Sequence, residues 1–184
     1  MKTKDKILQT AYKLFQDTSY TETSIDDICK NCDLTKPAFY YHFSSKAELL
    51  THYYDDVVQQ IYREIDKRDT SKDFWETYVF CFVELIKGSE NLGPDLMREL
   101  YIYNLTEDKQ TFDFKEKFTD LCVSLIEQAQ QSKQINNPSD AYDLYIASAY
   151  IFSGTEVFWS VKNGHFDRVK VLLNSLNVLF LPNI

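Results

Sequence analysis

The chain has 184 residues, a size for one compact body or for a small domain fused to a modest second one. It carries 20 basic against 28 acidic side chains, a net charge of −8, with 44% hydrophobic residues and only 4 Gly and 4 Pro. That composition excludes disordered and collagen-like chains and favours long helices over a turn-rich β sandwich.

The spacing of Ile7, Ala11, Leu14 and Phe15 predicts a helix over roughly residues 3–17. Thr23-Ser24-Ile25-Asp26-Asp27 reads as an N-cap followed by acids in the first turn, opening a second short helix at about 24–32 with Ile25, Ile28, Cys29 and Cys32 inward. Thr35-Lys36-Pro37-Ala38 restarts a helix almost at once, because Pro is tolerated in a first turn, and it ends near Tyr41. Two helices joined this tightly are the arrangement of a helix-turn-helix, whose second member enters the DNA major groove. Ser45-x-x-Glu48 reads as a capping box for a fourth helix, striped by Leu49, Leu50, Tyr53, Tyr54, Val57, Val58, Ile61 and Ile65.

Further helices are predicted at about 72–87, closed by Gly88, from Gly93-Pro94 to about Tyr103, and at about 111–132. Residues 139–163 are apolar nearly all round, which predicts a helix buried on more than one side. A last amphipathic helix carries Val169, Leu172, Leu173, Leu176, Leu179 and Phe180. The reading is all-α, about nine helices and no strand.

Charge is uneven. Residues 1–50 hold seven Lys and seven acids, a net of zero, while the remainder carries the whole −8. Only the first fifty residues suit a polyanion, and the body repels one. No uncharged apolar window is long enough to cross a membrane, and no apolar core follows the charged start, so the chain reads as cytoplasmic with Cys29, Cys32, Cys81 and Cys122 reduced. Cys29-x-x-Cys32 lacks the second ligand pair that a structural zinc needs; buried small residues are the default reading, with a redox role open. His52 and His165 are isolated, no nucleophile triad or phosphate loop appears, and neither catalysis nor a cofactor is indicated. Glu156 sits among Phe152, Val157, Phe158 and Trp159. A carboxylate there needs a partner: one across a dimer interface, a cationic ligand, or water.

Residues 6–50 resemble the N-terminal domain of the TetR family of bacterial transcription regulators. The resemblance is carried by Ile7-Leu8-Gln9-Thr10-Ala11 with Leu14-Phe15, by Tyr20-x-x-Thr23-Ser24-Ile25-x-Asp27-Ile28, by Leu34 to Phe43, and by Ser45-Lys46-x-Glu48-Leu49-Leu50. Ser19 and Asp33 stand where the family usually has Gly; Asp tolerates left-handed backbone better than most residues. The resemblance implies a DNA-reading domain over 1–46 and a helical ligand-sensing and dimerisation domain over 47–184. Lys36 is placed to reach a base edge or phosphate, and Pro37 and Ala38 are small enough to let the backbone approach. Tyr40, Tyr41 and His42 correspond to the family's phosphate grip. Thr23, Ser24, Thr35, Ser44 and Lys46 occupy positions that contact the sugar-phosphate backbone, while Phe39 and Phe43 read as core.

The family places its ligand cavity among the middle helices. On their inner stripes lie Tyr53, Tyr54, Val57, Trp75, Tyr78, Phe82, Met97, Tyr101, Phe118, Cys122 and Phe152, most of which read first as plain core and, by the resemblance, as the cavity lining. The last two helices, about 139–181, are expected to form a homodimer that presents two reading heads to a pseudo-palindromic operator. The function implied is a one-component repressor released by a small-molecule effector. The alternative is a dimeric adaptor that acts through a protein partner, with weak or no DNA binding.

Overall fold

The computed structural model describes residues 2–67 and 72–183. Among these the chain forms ten α-helices, and the one extended pairing is an isolated bridge between Ile135 and Pro182. Helix α1 (Thr3–Asp17) buries Ile7, Leu8, Ala11 and Phe15. Helix α2 (Ile25–Asn31) opens on Ser24, not Thr23: the Asp27 amide donates to the Ser24 hydroxyl at 3.2 Å and the Ser24 amide donates to the Asp27 carboxylate at 2.9 Å. This reciprocal pair satisfies two otherwise orphaned donors. Asp33 turns the chain with φ 53°, so the departure from Gly is accommodated in left-handed backbone. Helix α3 (Lys36–His42) then begins with Thr35 accepting from the Ala38 amide at 3.4 Å. Ile7, Ala11, Ile28, Cys32, Phe39 and Phe43 are each no more than 1% exposed and form the core of this three-helix head.

The predicted fourth helix is two. Helix α4 (Glu48–Thr51) stops at His52, and α5 (Tyr53–Ile65) continues. The Thr51 hydroxyl donates to the Glu48 carbonyl at 2.8 Å. That is the acceptor the His52 amide needs to continue the helix, and the His52 amide bonds to Leu50 instead. The predicted capping box is half present: Ser45 Oγ accepts from the Glu48 amide at 3.1 Å, but the Glu48 carboxylate takes the Ser44 amide and hydroxyl, not the Ser45 amide.

Helix α6 (Phe74–Gly88) runs through Gly88, and a 3-10 turn (Ser89–Leu92) leads into α7 (Gly93–Thr106). Helix α8 (Glu116–Gln131) starts five residues later than its apolar spacing predicts, because residues 107–115 form an irregular connection with Gln110 at φ 55°. Helix α9 (Ala141–Val161) packs on α7, α8 and α10 (Arg168–Phe180), while α6 packs on α5, α8 and α10. Gly88 lies against α5, where an added Cβ would meet Val57 Cγ1 at 2.5 Å. The 3-10 turn touches α1, so the head rests on the body without a flexible linker. No helix among the described residues is long and apolar enough to cross a membrane.

Candidate nucleic-acid interface and ligand cavity

Helix α3 is too short to bury more than one face. Phe39 goes inward, which leaves Tyr40 at 52% and Tyr41 at 85% exposure on the outer side. Lys36 and Pro37 are exposed beside them, Ala38 and His42 are half-buried, and His42 lies edge-on to Tyr41 with ring centroids 5.0 Å apart. Ser24, Thr35 and Ser44 are exposed; the Ser24 and Thr35 hydroxyls cap α2 and α3, and the Ser44 hydroxyl donates to the Glu48 carboxylate at 2.7 Å. Tyr40, Tyr41, His42 and Ser44 line one groove, and Lys36 joins α3 to Asp26 of α2.

Two candidates are placed differently. Thr23 is buried, and its hydroxyl donates to the Ser19 carbonyl at 2.7 Å. The Lys46 ammonium donates to the Tyr20 carbonyl at 2.6 Å and the Thr23 carbonyl at 2.8 Å, and it sits 4.1 Å over the Tyr20 ring. Both residues tie the α1–α2 turn to the segment after α3, a positioning role, and neither presents its polar group outward.

Electrostatics restrain the interface. The Lys36 ammonium pairs with Asp26 at 2.9 Å, and that hydrogen bond and charge hold it above the ordinary lysine range. The Ser24 hydroxyl and amide hold Asp27 below the usual carboxylate range. Burial, then the Asp26 charge, pushes the Cys29 thiol up, away from thiolate chemistry. All four cysteines are free and buried, and no group of metal-ligating side chains occurs among the described residues.

A cavity of about 290 Å³ lies between α4–α5 and the 107–115 connection, lined by Thr51, His52, Tyr54, Val58, Gln59, Tyr62, Lys109, Gln110, Thr111, Asp113, Phe114, Lys115 and Lys117. Of the eleven residues expected around a ligand, Tyr54 lines it, and the side chain of Tyr53 lies outside the described residues. Tyr78, Phe82, Met97, Phe118, Cys122 and Phe152 are fully buried core, with Val57, Trp75 and Tyr101 packed against it. They are core because aromatic rings fill the space themselves: Trp75 stacks on Tyr78, Tyr78 meets Phe82, Phe82 meets Phe152, and Tyr101 stacks on Phe112. The lining residues from the 107–115 connection have no helical periodicity, so an apolar-stripe reading passes over them.

Behind the cavity, Glu156 finds its partner within the chain. Arg168 Nη1 lies 2.9 and 3.0 Å from its two carboxylate oxygens and 2.8 Å from Ser89 Oγ, and the guanidinium covers the Trp159 ring at 3.7 Å. Glu156 is 0% and Arg168 5% exposed, so neither a partner subunit nor water nor a cationic ligand is its counterpart. Burial pushes the Glu156 carboxyl up, and Arg168 and Ser89 oppose this. Burial, then the Glu156 charge, pushes the Tyr54 phenol well above its ordinary range, with a Ser89 hydrogen bond opposing. Tyr54 thus links the cavity wall to this polar cluster.

Residues 7–53 match the family model described as bacterial regulatory proteins, tetR family. The chain is 40% identical over 91 residues to YuxN of Bacillus subtilis, an uncharacterized HTH-type transcriptional regulator; the match takes in 47% of this chain and 31% of that one, about a third of its length. It is 26% identical over 150 residues to the biofilm operon icaADBC negative transcriptional regulator IcaR of Staphylococcus epidermidis, covering 67% of this chain and 80% of IcaR. Among solved structures, Thermus thermophilus FadR, a TetR-family repressor in complex with lauroyl-CoA, superposes with a TM-score of 0.72 at 16% identity over 96% of this chain and 92% of its own. FadR of Bacillus subtilis, in complex with stearoyl-CoA, gives 0.63 at 17% identity over 96% and 97%. Residues 7–53 thus match the sequence of the tetR-family regulators, and the whole chain shares the all-helical fold of the TetR-family structures it superposes on.

Proposed function

We propose that this chain is a homodimeric repressor that binds a pseudo-palindromic operator through residues 1–46 and is released by a small molecule held in the body, residues 47–184. The carrying observation is the outward presentation of Tyr40 and Tyr41 on a short helix whose neighbour Lys36 supplies positive charge on the same surface. Tyrosine hydroxyls, the half-buried His42 and the exposed helix-start residues offer donors to phosphates, while Lys36 and Ala38 face base edges. The Staphylococcus relative is named a negative regulator, and the FadR structures hold acyl-CoA, which supports the repressor and effector readings.

The 290 Å³ cavity is the proposed effector site. Thr51, His52 and Lys109 line both this cavity and a groove alongside Tyr40 to Ser44 at the end of α3. The His52 ring meets Phe43 edge-on at 5.7 Å, directly behind the recognition helix. A ligand that favours one setting of the α4–α5 break at His52 therefore biases the direction of α3. The shift in operator affinity equals the ligand's difference in affinity for the two settings.

The test is selection of bound duplexes from a random pool by the purified protein at two salt concentrations. Enrichment of a two-fold symmetric site, with affinity falling steeply as salt rises, is the expected result. The adaptor reading draws on the neutral head and the Lys36–Asp26 pair. It requires that no saturable DNA binding occurs even at low salt, and that result would overturn the repressor reading.

A further inference from the structure

The charge of the effector follows from the chemistry of the cavity wall. Three lysines, Lys109, Lys115 and Lys117, stand against one acid, Asp113, in a body whose net charge is strongly negative. Glu107 pairs with Lys109 at the rim, and the Glu48 charge also acts on that ammonium. Lys117 extends over the cavity, its ammonium 4.6 Å above the Tyr62 ring. Deeper in, the Thr111 hydroxyl and the Tyr62 hydroxyl are both buried and without a hydrogen-bond partner among the described residues. Thr111 is itself nine-tenths buried. Leaving two buried hydroxyls unsatisfied costs free energy that a ligand acceptor restores. Phe114, Val58 and Tyr54 supply the apolar remainder of the wall.

We propose that the cavity binds a small amphipathic organic anion, its carboxylate or equivalent received by Lys109, Lys117, Thr111 and Tyr62 and its apolar part against Phe114, Val58 and Tyr54. Ammonium and hydroxyl donors on the cavity wall favour an anionic acceptor, and the ammoniums repel a cation. The volume, about 290 Å³, lies at the lower end of ligand sites, which run from about 300 to 1,000 Å³. It therefore suits a free acid of modest length and excludes enclosing a whole acyl-CoA. This inference rests on the cavity being the effector site.

The test uses three probes that share one tail: octanoate, octan-1-ol and octylammonium, titrated calorimetrically into the full chain without DNA. Octanoate is expected to saturate one site per chain and to bind roughly tenfold or more tightly than either counterpart, the worth of a charge-assisted hydrogen bond. The double substitution Lys109→Gln, Lys117→Gln, both on the surface, is expected to abolish that preference. Thr111→Val, isosteric and apolar, is expected to weaken octanoate several-fold and leave octanol unchanged. Equal binding of the three probes, a preference that survives in the double variant, or no binding of octanoate would each overturn the anion assignment. Operator release is then read separately. Octanoate bound without release would leave the anion site standing and remove the effector role; release by octylammonium alone would do the reverse.

Discussion

The Lys36 ammonium lies 2.9 Å from the Asp26 carboxylate, so the cation best placed to meet DNA is already paired across α2 and α3. Binding an operator requires this exposed pair to open or to carry the Asp26 charge toward phosphates. Asp26→Asn is therefore expected to raise DNA affinity several-fold, on specific and non-specific duplexes alike, and to steepen the salt dependence by about one phosphate contact, a slope change of roughly 0.9. Fluorescence anisotropy on a labelled duplex across a salt series reads both quantities. An unchanged slope and affinity would show that Lys36 does not touch the backbone.

Gly88 sets the distance between α5 and α6. Its replacement by Ala gains about 1 kcal/mol of helix propensity, and the new methyl meets Val57 Cγ1 at 2.5 Å, Cγ2 at 2.6 Å and Cβ at 3.2 Å. No rotation of Val57 removes a contact with its own Cβ, so overpacking outweighs propensity. Gly88→Ala is expected to lose about 1–2 kcal/mol net in urea unfolding, and adding Val57→Ala should return part of it. A Gly88→Ala protein more stable than the parent would mean that the two helices separate freely.

Glu156, Arg168 and Ser89 bring together residues 12, 67 and 79 positions apart in the chain. Removing one partner leaves a buried charge uncompensated. Arg168→Met is expected to cost about 3–5 kcal/mol, whereas Arg168→Met with Glu156→Gln should recover much of this. The pH dependence has a definite sign. Burial already pushes the Glu156 carboxyl up against the pull of Arg168, and losing Arg168 pushes it further. The folded variant then binds a proton more tightly than the unfolded chain. Stability is fully present below the ordinary Glu range and lost as pH rises through the raised folded value. Thermal unfolding of Arg168→Met from acid to neutral pH should show that loss, and the double variant should not.

The helices were legible because each carries a local apolar stripe, and α1 runs from Thr3 to Asp17 as its spacing predicts. What escaped has nonlocal or side-chain causes. At the break the Thr51 hydroxyl bonds the Glu48 carbonyl and the His52 amide bonds Leu50, although Thr51 reads as an ordinary helix residue. Phe114 and Phe118 keep helical spacing, although the chain is not helical before Glu116. Gly88 reads as a stop and α6 does end on it, but its close approach to Val57 of α5 has no local signal. The surface of α3 was legible in Tyr40 and Tyr41, since a seven-residue helix has one inward face and Phe39 takes it. The cavity was not, because aromatic stripes mark packing, and the wall instead draws on loop hydroxyls and lysines whose convergence is fixed only by the tertiary fold.

Helices α9 and α10 leave an apolar surface that one copy of the chain does not cover. Tyr150 is 75%, Phe158 63% and Val161 62% exposed on α9, with Val178 77% exposed on α10. Gly154 lies between Tyr150 and Phe158 with open space where a Cβ would stand, so nothing in its own chain requires glycine there. Contiguous exposed apolar groups of this kind mark association surfaces, and a two-fold copy would bury the same residues on both sides. Tyr150→Glu with Phe158→Glu places four carboxylates in such an interface and is expected to convert a species of twice 21.7 kDa into one of 21.7 kDa by light scattering. Helical content by circular dichroism should be unchanged, because neither side chain contributes to the core. Affinity for a two-half-site duplex should fall sharply, while binding to an isolated half-site is retained. A variant that keeps the doubled mass would place the dimer contact elsewhere, and the exposed Ile102 and Leu105 of α7 would be the next surface to substitute.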